Sequence, residues 1–294
     1  AMRVPLAYIG VILLWATTPL AIKWSGEGPG FLFGVTGRMA IGAACVWPVL
    51  LVRGRRLPSH RKARLTYLAI AVQIYGSMLA VYWAAQFIPS GWISVVFGLT
   101  PLLTALMAAA WLGERSLTPG KLFSYGLGVG GLAVMFGTAL EFSHEAALGI
   151  AGVLMSSFLQ SAASVWVKRI DARLPAWHQV GGGLALALPA YLLTWALFDG
   201  RWPESLPLAS LASIVYLGAI ATTAGFAAYY YVLKCLPATR VAMITLVTPV
   251  LSLLLGHAVN HEAVTPRVML GTALILSALL LHGVAGRRSV RMAE

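Results

Sequence analysis

Acidic residues are scarce in this chain. Nine Asp and Glu stand against 21 Lys and Arg in 294 residues, and all charged residues together make up 10%. Soluble domains carry roughly 25% charged residues. So few charges cannot cover a water-facing surface at this length, which excludes a soluble enzyme or regulatory domain. Cysteine is almost missing as well. Cys45 lies inside an apolar run and Cys235 beside a short loop, so no disulfide framework or metal-ligand spacing arises. There is no HExxH motif, no pair of acids inside an apolar run, and no readable nucleophile–base pair. An intramembrane enzyme therefore has no visible machinery, and no cofactor is implied. Long polar linkers are also absent.

What is present is apolar length. Hydrophobic residues make up 59% and the mean hydropathy is +0.82. A spanning helix needs about 20 mostly apolar residues. Runs bounded by charge, Pro or Gly fall at 4–24, 31–52, 65–86, 90–112, 119–139, 146–168, 177–197, 208–233, 238–258 and 265–285. This predicts an all-α integral membrane protein with ten transmembrane helices. The first run lacks a signal-peptide cleavage pattern and is expected to be a retained helix.

The net charge of +12 is a topology signal rather than a nucleic-acid footprint, because the basic residues sit in short loops beside apolar runs. With the N-terminus in the cytoplasm, the inner segments carry the clusters at 53–64, 115–121, 168–173, 234–240 and 287–291. The outer segments hold only Lys23, Arg201 and Arg267, with most of the acids. The expectation is that both termini are cytoplasmic and that anionic lipid meets the inner loops.

Comparing the chain with itself reveals a repeat. Residues 84–114 (AAQFIPSGWISVVFGLTPLLTALMAAAWLGE) align without gaps on 232–262 (VLKCLPATRVAMITLVTPVLSLLLGHAVNHE). Pro89 pairs with Pro237, Thr100 with Thr248, Pro101 with Pro249 and Glu114 with Glu262. The fourth helix thus corresponds to the ninth. The chain divides into two five-helix units, 1–143 and 144–294. A duplicated unit with an odd number of spans must be inverted relative to its twin, an arrangement recurrent in secondary transporters.

Several motifs resemble the EamA-type transporters of the drug/metabolite transporter superfamily. They are Trp15 to Lys23 (WATTPLAIK), Arg38-Met39 in the second helix, Pro89, Pro101, Leu112-Gly113-Glu114-Arg115, and the glycines from Gly126 to Gly131. The second half departs, with His261-Glu262 where Gly-Glu is usual. The resemblance covers essentially the whole chain. It implies two EamA-like repeats, alternating access, and a place in the bacterial inner membrane. Within the family the chain is most similar to exporters of amino acids, aromatic ones included.

Helical spacing picks out polar and aromatic faces that would line a central cavity. They comprise Trp15 and Thr18; Tyr75, Met78 and Tyr82; Ser90, Ser94, Phe97 and Pro101; Ser157, Gln160, Ser161 and Ser164; Thr222, Phe226 and Tyr229; and Thr245, Thr248 and Ser252. The substrate-binding set expected from them is Trp15, Thr18, Tyr75, Met78, Tyr82, Ser94, Phe97, Ser157, Gln160, Ser164, Phe226, Tyr229, Thr245 and Thr248. The competing role for each Ser and Thr is interhelical hydrogen bonding, and for Trp15 and Met78 ordinary packing. Pro101 and Pro249 are expected to kink their helices. The glycines at 126, 128, 130 and 131 should let the fifth helix pack closely, as scaffold or as a homodimer face.

Arg38 is the one charge well inside a span, at a cost of roughly 2.5–3.5 kcal/mol on insertion scales. It reads either as a ligand for a substrate carboxylate or, preferably, as a tie to backbone carbonyls near the outer surface. His257 and His261 share the four-residue spacing of a metal pair. But Glu114, the repeat partner of Glu262, has no histidines around it, so no metal is expected. Helix centres without Asp or Glu argue for uncoupled transport or exchange. The absence of paired basic residues disfavours a phosphate-ester antiporter. The expected cargo is a small neutral or zwitterionic metabolite.

Overall fold

Side-chain caps decide where several helices begin. Thr118 accepts a hydrogen bond from the Lys121 amide (3.4 Å) just before Pro119, and Ser143 accepts from the Ala146 amide (3.0 Å). Each occupies an orphan N–H of the first turn. His60 does the same for Ala63 (3.2 Å), so the third span starts at Arg61 rather than near 65. Its first turn is basic, exposed and helical, where the sequence reads as loop. Between the first two spans Gly28 and Gly30 take φ of 99° and 88°, and a side chain at 28 would strike Pro207 Cδ.

The computed structural model describes residues 3–54, 56–113, 118–235 and 238–291. Glu114 and Pro237, two members of the repeat pairing, lie outside the described residues. The helices are α1 (Arg3–Gly26), α2 (Phe31–Val52), α3 (Arg61–Ala71), α4 (Met78–Ala84), α5 (Ser90–Phe97), α6 (Thr100–Leu112), α7 (Pro119–Phe142), α8 (His144–Ile170), α9 (Ala176–Phe198), α10 (Leu208–Val215), α11 (Gly225–Cys235), α12 (Ala238–Asn260) and α13 (Pro266–Arg291). A π turn at Val72–Ser77 joins α3 to α4, and another at Tyr216–Ala224 joins α10 to α11. No strand occurs among the described residues. Among the described residues eight helical stretches are long and apolar enough to cross a membrane, and two shorter apolar ones are Leu208–Ala224 and Ile244–Asn260.

The two prolines paired by the repeat behave differently. At Pro101 the span breaks between α5 and α6: Gly98 and Leu99 bond three residues back, to Val95 and Val96. Proline lacks the N–H that would reach the Phe97 carbonyl. The Thr100 hydroxyl donates to that carbonyl instead, at 2.6 Å. Pro249 sits inside an uninterrupted α12.

Packing joins the two halves throughout. α1 lies against α10, α11 and α12, while α8, which opens the second half, lies against α3, α4 and α6. α2 packs on α9, α5 on α12 and α7 on α13. α2 also meets the second π turn, and α9 meets the first. Exchanging the halves maps this set of neighbours onto itself. One core runs through both halves, with Trp92, Tyr82 and Tyr191 as its largest buried side chains.

Candidate functional site

Two polar assemblies stand out, one inside the bundle and one at an end. The inner one is built around Arg38, which is 9% exposed. It stands about 10 Å along α2 from Phe31, at 1.5 Å rise per residue. Its Nη1 lies 3.5 Å from the Tyr82 hydroxyl and 4.0 Å from Met78 Sδ, and its Nε lies 3.5 Å from Thr222 Oγ1. Met78 directly follows the first π turn, and Thr222 sits within the second. The expected tie to carbonyls is therefore corrected. Arg38 meets three side chains drawn from both halves, and no carbonyl of the described residues is among its partners.

Close backbone approach makes this meeting feasible. A side chain at Gly218 would come within 2.9 Å of the Arg38 carbonyl oxygen, so α2 rests directly on the π turn. The Thr222 hydroxyl donates to the Leu217 carbonyl five residues back, at 2.8 Å, as π winding permits.

Tyr75 faces a neighbouring cluster rather than Arg38. Its hydroxyl shares a hydrogen bond with Thr194 Oγ1 (2.6 Å), and its ring lies 4.9 Å from that of Tyr191. Buried Tyr191 donates to the carbonyls of Ile74 and Tyr75 in the first π turn. Tyr191 and Thr194 belong to an apolar run whose polar positions show no clean stripe, so spacing alone could not single them out. A double-mutant cycle of Tyr75→Phe with Thr194→Val should return a coupling of about 0.6 kcal/mol, and no more than about 1.7, from thermal unfolding in detergent.

The remaining expected residues divide into groups. Trp15 and Tyr229 are brought together, with ring centroids 5.2 Å apart. Thr18 donates to the Leu14 carbonyl of its own helix, as does Thr17 to Leu13, although Thr17 also meets the Tyr216 hydroxyl at 2.6 Å. The α8 stripe splits. Ser157 is buried, and its hydroxyl has no partner among the described residues. Ser161 bonds Thr104 and the Thr100 carbonyl. Gln160 is half-buried, while Ser164 is exposed and bonds back to the Gln160 carbonyl. Ser94 and Phe97 are half-buried on α5; Thr245 and Thr248 are half-buried and buried on α12. Ser252 donates to the Ala16 carbonyl, bridging α12 to α1. The side chain of Phe226 lies outside the described residues.

The second assembly closes the end of the bundle where α1 finishes and α5 begins. Glu262 accepts from the Ser90 amide (3.0 Å), the Ser90 hydroxyl (2.9 Å), the Gly91 amide (3.3 Å) and Asn260 Nδ2 (2.9 Å). A carboxylate from the second half thus caps a helix of the first, where the dipole favours negative charge. Asn260 in turn accepts from Trp24 Nε1 (3.1 Å). Lys23 donates to the carbonyls of Ala85 (3.1 Å) and Ile88 (2.9 Å), near enough to Glu262 for charge attraction. A Cβ at Gly256 would stand 2.2 Å from Glu262 Oε2, so a side chain there would displace the carboxylate. His257 Nδ1 bonds the Glu262 carbonyl. In the sequence Lys23 and Glu262 stand 239 positions apart, one counted as a loop charge and the other as a repeat marker.

Clefts open at the two ends. One of about 530 Å³ lies between α7 and α13, beside the Glu141–Arg267 ion pair. One of about 200 Å³ lies at the opposite end, among Thr66, Lys168, Asp171 and Gln179.

A helical bundle with apolar spans, an arginine among hydroxyls in its interior and little charge elsewhere defines a multi-pass membrane protein. Comparison with known proteins gives the family. The model of the EamA-like transporter family matches residues 2–137 and again 147–283. The chain belongs to that family, a transporter family of the drug/metabolite superfamily. It is similar to the Bacillus subtilis (strain 168) transporter YoaV, 25% identical over 96% of this chain and 97% of that protein. It is also similar to a "Probable terminal-alkyne amino-acid exporter" of Streptantibioticus cattleyicolor, 24% identical over 94% of this chain and 95% of that one. A "Probable amino-acid metabolite efflux pump" of Escherichia coli (strain K12) is 24% identical over 69% and 71%. A solved crystal structure superposes with a TM-score of 0.64 at 26% identity, covering 97% of this chain and 98% of that one.

Proposed function

We propose that this protein is a secondary transporter that exports small neutral or zwitterionic metabolites, amino acids with aromatic side chains among them. It works by alternating access between two inverted five-helix units, 1–143 and 144–294, in the bacterial inner membrane with both termini inside. The observation that carries this reading is the meeting of Arg38, Met78 and Tyr82 from the first half with Thr222 from the second, inside the bundle. Polar groups at that depth are costly unless they serve a passage. Further support comes from the contact set that survives exchange of the halves, and from a π turn at the equivalent place in each. The names of two relatives point to amino-acid cargo. Helix centres that carry no carboxylate favour uncoupled flux or exchange over proton coupling.

The test is flux of labelled phenylalanine in proteoliposomes with no ion gradient. Downhill flux is expected in the native protein, and its loss in a Tyr82→Ala, Gln160→Ala double variant. Flux that requires an imposed proton gradient would overturn the uncoupled mechanism. Full flux in the double variant would remove Tyr82 and Gln160 from the route.

A further inference from the structure

Arg38 is under-satisfied in a way that specifies a ligand. A guanidinium offers five N–H donors in a rigid plane. Here Nε and Nη1 reach two hydroxyls at 3.5 Å and a thioether at 4.0 Å, and Nη2 makes no bond to a described residue. Good N–H···O bonds fall at 2.7–3.2 Å. Each contact is thus a loose one, at the limit of hydrogen bonding. Among the described residues no carboxylate pairs with Arg38 and no carbonyl accepts from it, although the side chain is 9% exposed. A buried cation held only by weak neutral acceptors is not a structural tie. Structural arginines in membranes pair with acids or backbone carbonyls.

Three features say what would complete it. The planar fork matches a carboxylate bidentately, with geometry that a lysine cannot reproduce. Among the described residues the site holds one cation: α9, α10 and the second π turn, which pack against α2 from the other half, carry no Asp, Glu, Lys or Arg. A single positive charge balances a monoanion and leaves a phosphate ester short of a partner. Met78 and Tyr82 stand beside the fork, so a polarizable thioether and a hydroxyl flank the place where the carboxylate would lie. Met78 directly follows one π turn and Thr222 lies within the other, and such turns recur at functional sites.

We infer that Arg38 is the carboxylate-binding residue of this transporter, so that the cargo is recognised by a free monocarboxylate, as in an amino acid. This rests on the exporter reading above and names the chemical group that reading left open. Arg38 acts on specificity: a cargo with the carboxylate amidated or removed loses the bidentate contact and leaves the guanidinium unpaired.

The experiment compares acid with amide. In proteoliposomes loaded for counterflow of labelled phenylalanine, unlabelled phenylalanine should compete at least tenfold better than phenylalaninamide or phenethylamine. Arg38→Gln should raise the KM for phenylalanine at least tenfold and bring acid and amide to parity, and Arg38→Lys should recover only part of the preference. Parity of acid and amide in the native protein overturns the inference without any variant. So does an Arg38→Gln protein that keeps the preference. Thermal stabilisation of the purified protein in detergent by phenylalanine, leucine and their amides runs in parallel. If flux is absent but stabilisation requires the free carboxylate and disappears in Arg38→Gln, the binding role stands and the exporter reading falls. If neither acid stabilises the native protein more than its amide, the binding role falls.

Discussion

Glu262→Ala should lower the melting temperature of the purified protein by roughly 5–10 °C, the largest loss expected from removing any one polar side chain here. Four donors converge on this carboxylate: two amides at the start of α5, the Ser90 hydroxyl and Asn260. Hydrogen bonds to charged groups contribute about 1.5–3 kcal/mol each, and donors left unmade in a half-buried place add their desolvation cost. Non-additivity within one network brings the total to about 2–4 kcal/mol. At about 2–4 °C per kcal/mol for a chain of this size class, the middle of that range gives the stated shift. Water can reach a half-exposed Glu262 site, which is why the estimate stays well below the sum of four bonds. Glu262→Gln separates charge from shape. Its amide oxygen can still accept, but its NH2 group faces donors, so the loss should be about half that of alanine. Equal midpoints for Glu262→Gln and the native protein would show that the α5 cap needs only an acceptor and no charge. An unchanged midpoint in Glu262→Ala would mean that water replaces the whole assembly.

Much of the helix plan could be read from the sequence, because apolar runs and the charges that bound them are direct consequences of the lipid environment. The spans expected at 31–52 and 90–112 coincide with Phe31–Val52 and Ser90–Leu112. The errors have local causes. Arg61, Lys62 and Arg64 read as loop in the sequence because they are charged, yet long basic side chains extend from a helical turn into the aqueous layer. Residues 144–145 fall outside the apolar run because they are polar, although Ser143 caps the turn and Glu145 suits its dipole.

The π turns left no such trace. Their sequences, VQIYGS and YLGAIATTA, carry ordinary apolar composition, and winding of this kind is set by what packs against it. Yet those turns bring Met78 and Thr222 to Arg38. The interior cluster was consequently half legible. Tyr82 and Met78 followed from spacing and Arg38 from its charge, but their joining with Thr222 is a tertiary fact. Periodicity also overestimates the α8 stripe: Ser157 and Ser164 differ by only about 20° around the helix, yet one is buried and the other exposed, so position along α8 separates them.

The glycines of α7 lead to the other large effect. The sequence treats Gly126, Gly128, Gly130 and Gly131 alike, but the structure separates them. A side chain at 126 or 130 would meet nothing within 4 Å. At 128 it would stand 2.9 Å from a Leu102 methyl, a flexible neighbour. At 131 it would stand 2.6 Å from Ile275 Cγ1, 3.0 Å from the Gly271 carbonyl and 3.1 Å from the Ile275 amide. Two of those three atoms are backbone of α13, so relief requires the helices to move apart. Gly271 is the reciprocal position, facing the Gly131 carbonyl and Met135. In lipid, helix association depends on such close packing because no hydrophobic force separates helix from acyl chain. Gly131→Ala should therefore cost about 1–3 kcal/mol, as overpacking does in tight cores. Gly131→Leu should leave no monodisperse protein by size-exclusion chromatography in detergent. Gly130→Ala and Gly126→Ala should elute and melt like the native protein, or slightly above it, since alanine restricts the unfolded chain. If Gly131→Leu purified as a stable monomer, the α7–α13 contact would have to be far looser than a 3 Å backbone approach allows. If instead Gly126→Leu and Gly130→Leu were the damaging changes, that face of α7 would be the packed one.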